Sequence, residues 1–314
     1  MNKFDYKNIF KNKHVAISRA ISMVENNEPE IVHFYNEIYK ESNSTLRIGI
    51  TGPPGAGKST LVDQLISCFL SEKKSVGVVA IDPSSPFSGG ALLGDRVRMG
   101  KYSDNDDVYI RSMGNRSDLG GLSRKAQEVG DILAASGKDV VIFETVGVGQ
   151  AEHDIVNAAD YTAVVLVPES GDEVQLMKAG IIEIADIFII NKSDRSGSKR
   201  IERTLTDILH SFSKEDSHIP EVMNVTASIG EGVKELFAKI IDDIDLFEKN
   251  GYLKKRRLNR YENRIKSLIS ERLDNEFWIQ ERENLFKNIT GSINSVDTPP
   301  NSVVEQLISN FKIK

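Results

Sequence analysis

The residues best able to do chemistry in this sequence are Gly52-Pro53-Pro54-Gly55-Ala56-Gly57-Lys58-Ser59-Thr60. Their spacing, G-x-x-x-x-G-K-S, is that of a loop that cradles phosphate. Gly52, Gly55 and Gly57 let backbone N–H groups close around a polyanion, because no Cβ obstructs the approach. Pro54, Ala56 and Thr60 complete the set placed against the phosphates. A helix starting near Lys58 turns the positive end of its dipole to the same point. Lys58 has the reach for the β- and γ-phosphates, and the Ser59 hydroxyl suits Mg²⁺. The alternative is a chance glycine-rich turn; the complete motif in a strand–loop–helix setting argues against it.

A second set concerns the base. Asn191-Lys192-Ser193-Asp194 follows the apolar run Ile187–Ile190. A carboxylate such as Asp194 accepts from guanine N1–H and the 2-amino group together, and adenine offers no such donor pair. Asn191 is suited to brace the loop, and the Lys192 stem to lie along the base. Thr226-Ala227-Ser228 follows another apolar run and fits a loop whose N–H meets guanine O6; an ordinary strand-to-helix turn reads equally well there. Glu144, in Glu144-Thr145-Val146-Gly147, occupies the place of a carboxylate that orients Mg²⁺ directly or through water, with the Gly147 N–H available to the γ-phosphate. Asp82 and Asp95 are further candidate metal groups, although loop aspartates are commonly turn formers or caps.

The elements that must position these residues are short. Leu46–Thr51, Val76–Ile81, Val108–Arg111, Val140–Phe143, Tyr161–Val167, Ile187–Ile190 and Val222–Val225 read as strands, several of them apolar throughout, as in a sheet covered on both faces. After the phosphate loop, Leu61, Val62, Leu65, Ile66 and Phe69 share one helical face. Alternation of this kind predicts right-handed βαβ crossovers and a doubly wound, mostly parallel α/β domain over residues 43–250. Residues 1–42 carry two helical patterns broken near Asn26–Pro29 and form an N-terminal extension. From 251 to 314, the run Lys254-Lys255-Arg256-Arg257 reads as a solvated first turn. It opens a long helical stripe through Leu258, Tyr261, Ile265, Leu268, Ile269, Leu273, Phe277 and Trp278. Asp297–Pro300 breaks the pattern, and Ser302–Phe311 forms a last short helix.

Composition bounds the partners. The chain has 314 residues, 27% of them charged, and a net charge of −6, which argues against a nucleic-acid partner. The lone Cys68 reads as a small buried hydrophobe, and the five histidines (His14, His33, His153, His210, His218) are scattered rather than spaced as a zinc site. His153 reads as a surface residue rather than a general base. No secretory leader or membrane-length apolar run is present, so a cytoplasmic location is expected.

Taken together, the phosphate loop, Asp82-Pro83-Ser84-Ser85, Gly94-Asp95-Arg96-Val97-Arg98-Met99, Glu144-Thr145-Val146-Gly147-Val148-Gly149-Gln150 and Asn191–Asp194 resemble the MeaB/ArgK family. Its members are the P-loop GTPases associated with methylmalonyl-CoA mutase, relatives of human MMAA. The resemblance implies GTP and GDP as ligands, Mg²⁺ as cofactor, and a chaperone role toward an adenosylcobalamin-dependent acyl-CoA mutase. It further implies slow hydrolysis stimulated by that mutase, and a homodimer built through the C-terminal helices. Gly171–Gly180 resembles a further family switch, in which Gln175 and Lys178 communicate with the partner and accelerate hydrolysis. Glu169-Ser170 departs from the family pattern, where relatives have glycine and a small residue; Glu169 adds charge and removes backbone freedom. Two other readings stay open: a GTPase for nickel insertion, which calls for metal-holding Cys and His, and a small-molecule kinase.

Overall fold

A computed structural model describes residues 6–28, 31–42, 44–83, 100–102, 104–115, 121–145, 155–170, 181–212, 219–291, 298–309 and 311. The chain divides into two compact units, Met1–Arg256 and Arg257–Lys314.

The first unit is built on a seven-stranded sheet. The strands are β1 (Leu46–Thr51), β2 (Val76–Pro83), β3 (Val108–Asn115), β4 (Val140–Thr145), β5 (Tyr161–Leu166), β6 (Ile187–Asn191) and β7 (Glu221–Val225), in the spatial order β3-β2-β4-β1-β5-β6-β7. Every pairing is parallel. All seven expected strands are present, four of them longer at their carboxyl ends: β2 runs on to Pro83, β3 to Asn115, β4 to Thr145 and β6 to Asn191. Asp82 and Glu144 thus lie within the ends of β2 and β4. β4 and β5 are buried at every position, as parallel strands covered on both faces must be. The chain leaves β1 toward β2, β3 and β4 and returns on the other side as β5, β6 and β7. The switch point thus falls at the carboxyl end of β1, where open sheets hold ligands.

Alternation along the strands sends two apolar sets to opposite faces. Ile48, Ile50, Val78, Ile142, Ala163 and Val165 pack with α3 (Lys58–Ser71) and with the helix Val233–Lys249. The expected face of α3, Leu61, Val62, Leu65, Ile66 and Phe69, is buried there, and Cys68 is half-buried at its margin. On the other face α1 (His14–Glu25), α2 (Ile31–Glu41) and α4 (Gly121–Ala135) cover Val79, Val141 and Phe143. The four-residue α5 (Ile181–Ile184) and α6 (Ser198–Phe212) flank Val164, Leu166 and Phe188. Buried charge also holds the N-terminal helices. Arg47 of β1 pairs with Asp131 of α4, which accepts the hydroxyl of Tyr35 on α2. Arg111 of β3 pairs with Glu25 at the end of α1.

After α7 (Val233–Lys249), α8 (Tyr252–Phe277) begins in the first unit. Its basic first turn is only partly solvated, against expectation. Lys254 and Lys255 are exposed. Arg256, however, donates to both oxygens of Asp186 (2.5 and 2.7 Å) and to Asp160 O (3.0 Å), and it stacks 4.7 Å over the Tyr252 ring. Asp186 is 2% exposed at the head of β6, and a buried carboxylate needs such a partner.

In the second unit α8 continues to Phe277, followed by α9 (Gln280–Thr290) and α10 (Pro300–Ile308). Arg282 stacks over Phe277 and Phe311 and donates to Phe277 O (2.8 Å). α10 starts at Pro300 itself, because the first turn of a helix tolerates proline, and it ends at Ile308 rather than Phe311. No residue of α9 is buried, although Phe286 packs edge-on against Trp278.

Lys138, just before β4, is buried, and its Nζ donates to Asp106 O (2.7 Å). Desolvation lowers its pKa to about 8, against the opposing pull of Asp107, Asp106 and Asp139. A folded-state pKa below the unfolded value means that the unfolded chain binds the extra proton across pH 8 to 10.5. On this group's account stability therefore rises with pH through that window and is lowest below pH 8. The difference is at most about 3 kcal/mol. Lys138→Met keeps the stem, and Asp106 O retains Asn12 Nδ2 as a donor (2.8 Å). The variant is expected to be about 1–3 kcal/mol more stable at pH 7, with the gain vanishing toward pH 10.5. Urea unfolding of both proteins across that range is the measurement.

Candidate nucleotide site

The phosphate loop joins β1 to α3, and its conformation depends on glycine in two ways. A Cβ on Gly52 would stand 2.0 Å from Val165 O of β5, and one on Gly57 would stand 2.3 Å from Asn191 Nδ2. Both positions also have positive φ, +136° and +85°. The loop thus lies directly against the ends of β5 and β6. Gly55 differs: a Cβ there would meet nothing within 4 Å. Its φ of +73° turns the backbone at the outward side of the loop, where a ligand approaches. Gly57 caps α3 without a side-chain bond to its first amides.

Three strand ends contribute the side chains. Lys58 is 5% exposed and folds back on the loop, its Nζ donating to Gly52 O (2.7 Å) and Pro53 O (2.8 Å). Ser59 Oγ donates to Glu144 Oε1 at 2.6 Å, and Glu144 is itself 4% exposed. That contact follows from register, since Ile50 at the end of β1 lies beside Glu144 of β4. One residue on, the Thr51 and Thr145 hydroxyls meet at 2.9 Å in full burial. No motif marks this pair; it becomes visible only once β1 and β4 are known to be neighbours.

The base end is tied to the phosphate loop through Asn191. Its Nδ2 donates to Ala56 O (2.8 Å), while its Oδ1 accepts from Ala227 N (3.1 Å). One buried amide thus links the phosphate loop, the end of β6 and the loop after β7. Lys192 has a left-handed backbone, φ 58°, unusual for a residue with a side chain, and its Nζ donates to Gly55 O (2.7 Å). Ser193 donates its N–H to Val225 O (3.1 Å) and shares a hydroxyl contact with Thr226 (3.1 Å). Thr226 N in turn donates to Glu231 O (2.9 Å), closing the loop that carries Ala227 and Ser228. Thr226 and Ala227 are buried; Ser228 is exposed. Asp194 is exposed, and its carboxylate makes no hydrogen bond or ion pair among the described residues.

Lys58, Asn191 and Lys192 thus converge on the phosphate loop through its carbonyls, Glu144 reaches it through Ser59, and Thr226 and Ala227 join it through the Asn191–Asp194 turn, in which Asp194 lies. Pro54 is exposed and Thr60 half-buried, in the loop and on the first turn of α3. Asp82 lies on β2, in register with Gly114. Asp95, Gly147, His153, Gln175 and Lys178 lie outside the described residues.

The sequence profile described as "Methylmalonyl Co-A mutase-associated GTPase MeaB" matches residues 17–282. A relative in Pyrococcus abyssi is 41% identical over 299 residues, covering 94% of this chain and 92% of the relative. The Escherichia coli GTPase ArgK is 31% identical over 277 residues, 86% of this chain and 84% of ArgK. The mouse mitochondrial methylmalonic aciduria type A homolog is 34% identical over 237 residues, 74% of this chain and 57% of that protein. Among solved structures, one titled LAO/AO transport system kinase superposes with a TM-score of 0.72 at 24% identity, covering 97% of this chain and 95% of the other, which establishes a shared fold. The doubly wound P-loop architecture and this breadth of similarity lead to one conclusion: the chain belongs to the MeaB/ArgK family of P-loop GTPases.

Proposed function

We propose that this protein binds GTP and Mg²⁺ at the loop Gly52–Thr60, hydrolyses GTP to GDP and phosphate, and uses its nucleotide state to act as a chaperone for an adenosylcobalamin-dependent acyl-CoA mutase of the methylmalonyl-CoA type. The observation that carries this reading is the Asn191 amide, which couples a phosphate loop to the turn bearing Asp194. That linkage gives a triphosphate and a base one continuous seat.

The donor set fits the metal. Ser59 Oγ and a Glu144 carboxylate oxygen converge at 2.6 Å, and paired hard oxygens of this kind suit Mg²⁺. Bound there, the metal supplies neutralisation of phosphate charge. Asp82 and Asp95 are proposed as further carboxylates serving it. Lys58 holds its ammonium at the loop mouth on two carbonyls that a phosphate oxygen can replace. Loop amides around Gly55 and Gly57, with the Gly147 N–H, bind the phosphate oxygens. Asp194 reads the N1–H and 2-amino edge of guanine, Lys192 lies along the base, and the loop Thr226-Ala227-Ser228 meets O6 through the Ser228 N–H, since the N–H groups of Thr226 and Ala227 already donate to Glu231 O and Asn191 Oδ1. Gln175 and Lys178 are proposed to join the transferring phosphoryl group when the mutase docks, orienting water and adding a cation.

Residues 251–314 are proposed as a dimerisation arm. Leu258, Tyr261, Ile265, Leu268 and Ile269 of α8 are 39–54% exposed at spacings of three and four, and a second copy would cover that stripe. No helix among the described residues is long and apolar enough to cross a membrane.

The test is GTP turnover alone and with methylmalonyl-CoA mutase. Slow intrinsic turnover and a stimulation approaching the roughly 10³–10⁵ that one added cation contributes in GTPases are expected. A mutase that binds yet leaves the rate unchanged contradicts the chaperone reading, while GTP hydrolysis stands or falls on the chain alone.

A further inference from the structure

Asp194 is held from both sides, and the two sides are unlike. Before it, Asn191, Lys192 and Ser193 are fixed by hydrogen bonds to the phosphate loop and to the end of β7. After it, the turn closes through Arg195 N to Lys192 O (3.0 Å), and Arg195 Nη1 donates to Glu169 Oε1 at 2.7 Å. Glu169 sits in the short 3-10 turn Pro168–Ser170 that follows β5. The Pro168 Cβ lies 3.8 Å from where a Cβ would stand on Gly197, so the same turn supports the residues just past Arg195. The Arg195 hydrogen bond, and after it the backbone N–H of Glu169 itself, hold the Glu169 carboxyl below its ordinary range. β5 is the strand whose Val165 O abuts Gly52.

We infer that the Glu169–Arg195 ion pair is a clasp that positions Asp194, fixing the guanine-reading turn to the end of β5 and slowing nucleotide release. This rests on the guanine reading above and deepens it. Neither residue is placed against phosphate, metal or base, so both are positioning residues. Both side chains are at least half exposed, so losing the pair leaves the fold intact. The effect falls on the lifetime of the bound base, because recognition needs Asp194 held within a fraction of an ångström.

The experiment follows dissociation of fluorescently labelled GDP from wild type, Glu169→Ala, Arg195→Ala, the double alanine variant and the charge-exchanged Glu169→Arg/Arg195→Glu. Each single variant is expected to release GDP about three- to fivefold faster at low salt, a size set by exposed ion pairs, with unchanged association rate and melting temperature. The double alanine variant should be no worse than either single variant, and the exchanged pair should recover most of the loss. In 1 M salt, where screening acts over about 3 Å, wild type should approach the variants. Silent single variants, additive losses, or an exchanged pair that recovers nothing would overturn the clasp. A wild-type chain that binds no guanine nucleotide would instead remove the reading beneath it; tight binding by wild type beside silent variants removes the clasp alone.

Discussion

Asp194→Asn is expected to abolish the preference of this protein for guanine nucleotides. The carboxylate offers two acceptors, matched to the N1–H and 2-amino donors of guanine, and its charge strengthens both bonds. Asparagine offers one acceptor and one donor, so its NH₂ would face the 2-amino group. Losing two charge-assisted bonds, at about 1.5–3 kcal/mol each, corresponds to roughly 10²- to 10⁴-fold weaker GTP binding. Xanthine carries a carbonyl where guanine carries the amine, and that carbonyl accepts from the asparagine NH₂. The variant should therefore bind xanthosine triphosphate more tightly than GTP. Asp194 is exposed and unengaged among the described side chains, so the substitution leaves the fold unchanged. Calorimetry with GTP, ATP and xanthosine triphosphate reads the outcome directly. Equal binding of GTP and ATP by wild type would remove the guanine assignment and the family mechanism built on it.

What could be read from the sequence, and what could not, divides along physical lines. The strands were legible because parallel strands buried on both faces are continuous apolar runs; β5, Tyr161–Leu166, is buried throughout. The phosphate loop and Asn191–Asp194 were legible because their chemistry demands particular residues at fixed spacing. Contacts set by register were not. The meeting of Thr51 with Thr145 follows from β1 lying beside β4, which no local pattern announces. Arg256 was misread as solvated because its partner, Asp186, lies 70 residues away. The same holds for Glu169 and Arg195, 26 residues apart, whose opposite charges carry no sequence sign that they meet. The boundary between α8 and α9 was not legible either, because Leu285, Phe286 and Ile289 continue helical spacing past the break at Trp278–Ile279.

Lys58→Met is expected to stop hydrolysis while leaving the fold in place. The side chain is 5% exposed, and methionine keeps most of its buried stem while removing only the ammonium. In the wild-type protein that ammonium rests on Gly52 O and Pro53 O, 2.7 and 2.8 Å away. Those carbonyls belong to the loop itself, so the ammonium waits at the site and exchanges them for phosphate oxygens as the nucleotide binds, before the moment of reaction. Preplaced charge of this kind is worth about 10²–10³ in rate for one hydrogen-bond donor, and about 10³–10⁵ for a full cation at a transferring phosphoryl group. A loss of at least 10²-fold in single-turnover GTP hydrolysis is therefore expected, with an unchanged melting temperature in the absence of nucleotide. Lys58→Arg should not rescue it, because the planar guanidinium fork cannot occupy the volume of a compact ammonium between two loop carbonyls. Were Lys58→Met to hydrolyse GTP at the wild-type rate, the positive charge would have to come from elsewhere, and Lys178 of this chain, proposed to enter the site when the mutase docks, could then be tested alone by repeating the assay with the mutase present.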